Sequence, residues 1–94
     1  MEKQDRISDE KLDGYFKITK ESLDIIKKNV TKGRENEAKE VIEMASSYLS
    51  DAEYFRKKGD CVNCLASLSY AYGWIDCAAR LGIFNVSDRK RFTV

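Results

Sequence analysis

The residues best suited to chemistry are Cys61-Val62-Asn63-Cys64, two thiols spaced to share one turn of a helix. At a helix N-terminus such a pair suits redox work, because the dipole there lowers a thiol pKa. A thioredoxin-type use also requires flanking strands, and no stretch of this chain alternates apolar and polar residues as a strand does. A zinc site needs about four ligands, usually cysteine and histidine. The chain has no histidine, and its third cysteine, Cys77, lies thirteen residues further on. That is about 20 Å along a helix, so Cys77 cannot join the pair within one chain. A metal shared across a dimer and a redox sensor pair remain as alternatives. The expectation adopted is that Cys61 and Cys64 act as small buried apolar residues, and no cofactor is expected.

Carboxylates offer the other possible chemistry. Asp51 and Tyr54 lie before the Lys58-Gly59-Asp60 stretch, and Asp76 and Arg80 lie well after it. Between two antiparallel helices these four residues would line a ligand cleft. The Asp76-Arg80 spacing is more ordinarily that of a helix ion pair worth about 0.3–0.5 kcal/mol. Asp76 can alternatively accept a hydrogen bond from Tyr48 or Tyr54, which is architecture rather than catalysis. Without histidine, Ser-His-Asp and Cys-His arrangements and histidine-dependent ribonuclease chemistry are excluded. The five glycines are scattered, so no phosphate-cradling loop is present. No catalytic residue is assigned and no enzymatic activity is expected. The run Asp88-Arg89-Lys90-Arg91 invites an RNA or phosphate contact. Three cations fall short of the roughly 6–10 phosphate contacts of strong binders, so a solvated terminus is expected instead.

Ninety-four residues suit one small domain with a modest core. Hydrophobic residues make up 43% of the chain, charged residues 35%, and proline is absent, which favours long uninterrupted helices. Seventeen basic and sixteen acidic side chains leave a net charge of +1, so no global field draws the chain to nucleic acid or anionic lipid. No apolar run reaches the roughly 20 residues that span a bilayer, and Met1 to Arg6 lack the apolar centre of a signal peptide. A cytoplasmic protein with reduced thiols is expected, with no membrane contact.

Three elements must position these groups. Residues 1–7 are expected to fray, and Ser8 to cap a first helix with Asp9 and Glu10 in its opening turn. Leu12, Phe16, Thr19, Leu23, Ile26 and Val30 recur at threes and fours, predicting a helix over about 8–30. Gly33 ends that turn. Ala38, Val41, Ile42, Ala45, Tyr48, Leu49, Ala52 and Phe55 predict a second helix over about 34–57. Lys58-Gly59-Asp60 reads as a tight corner, with glycine at the left-handed position and aspartate capping the next helix, which forces antiparallel contact. That third helix spans about 61–81 and is stopped by Gly82. Its core face should comprise Cys61, Cys64, Leu65, Leu68, Tyr72, Ile75 and Ala79.

The opposite side of that helix lacks the lysines and glutamates of a solvated surface. It carries Ala66, Tyr70, Gly73, Trp74 and Cys77, small residues beside two aromatic anchors. Ile83, Phe84, Val86 and Phe92 of the tail over 83–94, a second copy of the chain, or a different protein could cover it. The fold expected is an all-α, up-and-down three-helix bundle. Its expected role is a non-enzymatic interaction or oligomerisation module.

The runs Asp51-Ala52-Glu53-Tyr54-Phe55, Lys58-Gly59-Asp60, Ser69-Tyr70-Ala71-Tyr72-Gly73-Trp74-Ile75-Asp76 and Arg80-Leu81-Gly82-Ile83-Phe84 resemble the archaeal "domain of unknown function 357" family. The similarity is dense from Tyr48 to Phe84 and thin before it. It implies a short all-α bundle with no assigned catalytic residues. Because some members carry the domain beside a nucleotidyltransferase-like domain, it also implies an accessory role as the alternative, in which a small ligand or nucleotide binds near such an enzyme. Cysteines at 61 and 64 depart from the family's usual pattern.

Overall fold

The computed structural model describes residues 7–88 together with 91 and 92. Among them are three helices, α1 (Asp9–Lys27), α2 (Glu35–Lys57) and α3 (Cys61–Arg80), which pack against one another as a three-helix bundle. The expected frayed segment falls largely outside the described residues.

Local chemistry accounts for most boundaries. The Ser8 side chain accepts a hydrogen bond from the Lys11 N–H at 3.1 Å, opening α1. At the corner after α2, the Asp60 N–H reaches Phe55 O at 2.9 Å and the Gly59 N–H reaches Arg56 O at 3.0 Å. That is a Schellman ending, and it requires the positive φ of 74° that Gly59 adopts. Asp60 then caps α3, accepting from the Asn63 N–H at 3.0 Å. The same ending recurs after α3, where Ile83 N–H bonds Ala78 O at 3.0 Å and Gly82 takes a φ of 79°.

The tight corner sets the register of α2 against α3. Counting outward from Lys58 brings Ala52 level with Cys64, Ala45 with Ala71, and Ala38 with Ala78. All six are buried, and each set recurs every seven residues. Tyr48 stacked on Tyr70, with ring centroids 5.2 Å apart, agrees with that register. A seam of such small side chains lets two backbones approach closely, and α2 and α3 form the most extensive helix pair of the bundle. The larger core residues lie beside this seam. Leu23, Ile26, Ile75 and Phe84 fill one end, and Leu12, Phe16 and Leu68 fill the other.

α1 ends at Lys27, three residues short of the expected Val30. The reason is a long-range pairing: Val30 forms an antiparallel bridge with Phe84. Thr31 N–H reaches Ile83 O at 3.0 Å, Asn85 N–H reaches Asn29 O at 2.7 Å, and the Thr31 hydroxyl donates to Gly82 O at 2.6 Å. A residue committed to a strand-like pair cannot continue a helix. Phe84 is thereby held fully buried between the α1–α2 loop and α3.

The tail departs from the expected solvated terminus. Phe92 is 3% exposed and belongs to the main core cluster, with Val86 packed at its edge. The Arg91 guanidinium bridges Glu21 of α1 at 2.8 Å and Asp88 at 2.6 Å, while the Tyr72 hydroxyl donates to Arg91 O. The basic run is thus partly consumed by internal ion pairs; Arg89 and Lys90 lie outside the described residues. An apolar side chain one position beyond the cluster is what draws it inward.

This packing makes two substitutions informative. Ala71→Leu adds apolar surface yet overfills the seam, so the urea midpoint should drop, by about 1–3 kcal/mol of stability. Ser22 is fully buried in α1, and its hydroxyl has no hydrogen-bond partner among the described residues. Ser22→Ala removes that orphan and should raise stability by about 1 kcal/mol in the same titration.

Candidate functional site

The α3 face opposite the seam is open. Ala66, Tyr70, Gly73, Trp74 and Cys77 are all exposed, Tyr70 by 62% and Trp74 by 38%. Val62 and Leu81 extend the exposed apolar surface toward the two helix ends. α3 carries only two charged side chains, Asp76 and Arg80, both in its last two turns. The Tyr48–Tyr70 stack broadens the face onto α2 and holds the Tyr70 ring against a neighbour. Of the three candidate covers, the described tail is removed from consideration. Ile83, Phe84 and Phe92 are buried in the core around Ile75 and Ala79, away from Tyr70 and Trp74.

Gly73 sharpens the picture. A Cβ added there meets nothing within 4 Å, so no contact inside the chain requires glycine at this point. Its cost in a helix is roughly 0.5–1 kcal/mol relative to alanine. Gly14 in α1 is open in the same way.

The four residues of the expected cleft are not gathered. In the seam register, Tyr54 is level with Val62 and Asp51 with Leu65, whereas Asp76 and Arg80 lie near the far end of α3. At 1.5 Å per residue the two pairs are separated by about 16–27 Å along the bundle. Asp76 borders a groove between α1 and α3 with Tyr15, Leu65 and Tyr72. Arg80 borders a different hollow with Val30, Lys32 and Phe84. Asp51 and Tyr54 line neither. No ion pair joins Asp76 to Arg80 among the described residues. Of the two tyrosines proposed for Asp76, Tyr48 stacks on Tyr70 and Tyr54 lies edge-on to Phe55. The tyrosine that feels the Asp76 charge is Tyr72. Its phenol is pushed above the ordinary value, first by desolvation and then by Asp76 and Asp88.

The sequence profile of the family described as a protein of unknown function (DUF357) matches residues 14–84. The chain belongs to this family. Searches of curated proteins and of solved structures gave no match. The DUF357 span reaches well before Tyr48, takes in both halves of the α2–α3 seam and the open face of α3, and ends at Phe84. The Ser8 cap and the docked tail lie outside it. No helix among the described residues is long and apolar enough to cross a membrane.

The two paired cysteines prove unequal. Cys64 is buried beside Leu12, Phe16, Ala52 and Leu68, as expected, but Cys61 is exposed. As the first residue of α3, Cys61 lies almost a full turn before Cys64 and outside the seam. Leu65 and Tyr72, also expected in the core, are half-buried, and their places are taken by Ala71 and Ala78. Desolvation pushes the Cys64 thiol up from its ordinary value, opposite to the depression that marks a reactive thiol. Among the described residues no group of three or more cysteine, aspartate or glutamate side chains is placed to hold a metal ion.

The corner that sets the register is itself sensitive to acid. Hydrogen bonds from Asn63, the backbone bond foremost, hold the Asp60 carboxyl below the usual aspartate range. A carboxyl depressed in the folded state adds stability that is present above its unfolded pKa and lost as pH falls through the folded one. Asp60→Asn keeps a capping oxygen but does not titrate. Urea midpoints measured through the acid range should therefore fall less steeply below about pH 4 in Asp60→Asn than in the natural chain.

Proposed function

We propose that this DUF357 chain is a non-enzymatic protein-interaction module that docks another polypeptide on the outer face of α3. The observation that carries this reading is the combination of exposed Tyr70 and Trp74 with a tail that is seated elsewhere. A continuous apolar face rimmed by polar residues is the usual mark of a contact surface, and aromatic residues dominate the energetics of such surfaces. The open Gly73 supports the same reading, since a helix without a Cβ at the middle of its exposed face admits a partner backbone closely. Three free thiols suit action in the reducing cytoplasm. The small-ligand reading has no comparable support, because its four residues are spread along the bundle.

Two comparisons test the proposal. Tyr70→Glu combined with Trp74→Glu should abolish association, whether seen by sedimentation of the purified chain or by affinity capture from the native cell, while far-ultraviolet circular dichroism stays unchanged. Gly73→Ala and Gly14→Ala should each stabilise the isolated chain by about 0.5–1 kcal/mol. Only Gly73→Ala should also weaken association. Association that survives the double glutamate variant, or a wild-type chain that associates with nothing in either assay, overturns the reading.

A further inference from the structure

We propose that the hollow between the α1–α2 loop and the end of α3 binds a small phosphate monoester, with Arg80 and Lys32 as the residues that hold its anion. The hollow has a volume of about 820 Å³, within the roughly 300–1,000 Å³ of small-molecule sites. Neither Tyr70 and Trp74 nor Asp51, Tyr54 and Asp76 line it, so it is separate from the docking face and from the cleft expected from the sequence. Its lining holds two ionisable side chains, Lys32 and Arg80, and no acid. Among the described arginines, Arg34 holds Glu37, Arg56 holds Asp13, and Arg91 holds Glu21 and Asp88. Arg80 has no carboxylate partner among the described residues, and neither has Lys32. Two cations lining one hollow without a counter-charge concentrate a positive field there, although the chain as a whole is close to neutral.

The backbone around the hollow removes the obstacle that a helix end normally sets. The last carbonyls of a helix are unpaired and carry partial negative charge, which repels an anion. Here Ala78 O accepts from the Ile83 N–H at 3.0 Å and Ala79 O from the Gly82 N–H at 3.1 Å, while Gly82 O takes the Thr31 hydroxyl at 2.6 Å and Ile83 O the Thr31 N–H at 3.0 Å. With those oxygens engaged, the two side-chain cations set the local field. The Val30–Phe84 bridge and the 2.7 Å bond from Asn85 N–H to Asn29 O tie the two rims together, so both cations extend from backbone that is already fixed, which lowers the ordering cost of binding. A phosphate monoester carries a charge of roughly −1.5 to −2 at neutral pH, which two cations match. A guanidinium fork also fits two phosphate oxygens at once. Val30, Phe84 and Val86 add an apolar wall for the organic body of the ligand.

Phenyl phosphate is the probe, and the backbone amide shifts of the isotope-labelled full chain are the readout. Saturable shifts should gather at Thr31, Lys32, Gly82, Asn85 and Val86. Arg80→Gln and Lys32→Gln should each raise the dissociation constant at least roughly tenfold, with far-ultraviolet circular dichroism unchanged. Arg80→Lys should weaken binding too, because an ammonium lacks the fork. Lys11→Gln removes the same charge at the start of α1, the other end of the bundle, and should leave the affinity as it is. Phenol should give no saturable shift, and inorganic phosphate should bind more weakly than phenyl phosphate. The proposal is overturned by the absence of saturable shifts at millimolar phenyl phosphate, by equal losses in Lys11→Gln and Arg80→Gln, or by phenol binding as well as its phosphate. Inorganic phosphate binding equally well removes the role of the apolar wall and with it the monoester. A single-stranded RNA that binds at the hollow when phenyl phosphate does not makes it a nucleic-acid contact and overturns the small ligand. None of these readouts depends on association through Tyr70 and Trp74, so the interaction reading stands or falls by its own test.

Discussion

The close approach of α2 and α3 along a seam of small side chains is the constraint on which the rest of the bundle depends. Ala38, Ala45 and Ala52 face Ala78, Ala71 and Cys64, and none of these residues has bulk to hold the backbones apart. Each contributes little buried area alone, and the gain comes from dense contact between two backbones. Bulky residues are thereby displaced to the flanks. On one flank Leu68, Ile75 and Phe84 form the floor against which α1 lays Leu12, Phe16, Leu23 and Ile26. On the other, the Tyr48–Tyr70 stack reaches across.

This asymmetry explains why α1 and the tail choose the side they do. Apolar area is available in quantity only beside the large side chains, so Phe84 and Phe92 close over the α1–α3 flank. The polar contacts that accompany them add positioning more than energy. Arg91 is paired with Glu21 and Asp88 at a partly exposed site, where ion pairs contribute modestly. The Val30–Phe84 bridge and the Thr31 hydroxyl tie the last residues after α3 to the loop after α1, closing the bundle at that end.

How much of this is legible in the sequence depends on the range of the interaction. Ser8, Gly59, Asp60 and Gly82 act within a few residues of themselves, and each does in the structure what its type predicts. The core stripes of α1 and α2 arise from large apolar residues at helical spacing. The core of α3 is misjudged where small residues decide it: Ala71 and Ala78 carry no strong hydropathy signal, yet their spacing of seven from Cys64 marks the seam and excludes Cys61. The early end of α1 and the docking of Phe92 rest on partners some fifty to seventy residues away, Phe84 for Val30 and Glu21 for Arg91. No local pattern encodes a pairing at that range. The dispersal of Asp51, Tyr54, Asp76 and Arg80 is implicit in the corner. Asp51 and Tyr54 stand much nearer to Lys58 along the chain than Asp76 and Arg80 do, and residues so unequally distant from the corner cannot meet across an antiparallel pair.

The seam also gives a physical standard by which to judge the face on the far side of α3. Within the bundle, a set of small residues seven apart, Cys64, Ala71 and Ala78, occurs where another helix backbone lies against it. Ala66 and Gly73 repeat that spacing of seven on the exposed side, with Cys77 one turn further on, and no described segment of the chain lies there. This composition differs from the lysine- and glutamate-rich one of an ordinary solvated helix face. Lysine or glutamate at these positions would improve both helix propensity and solubility. The glycine is the most telling of the three, because it weakens the helix and relieves no contact within the chain. α3 is thus built on two sides to the same plan. One side already holds its neighbouring helix, and the other leaves Tyr70 and Trp74 exposed.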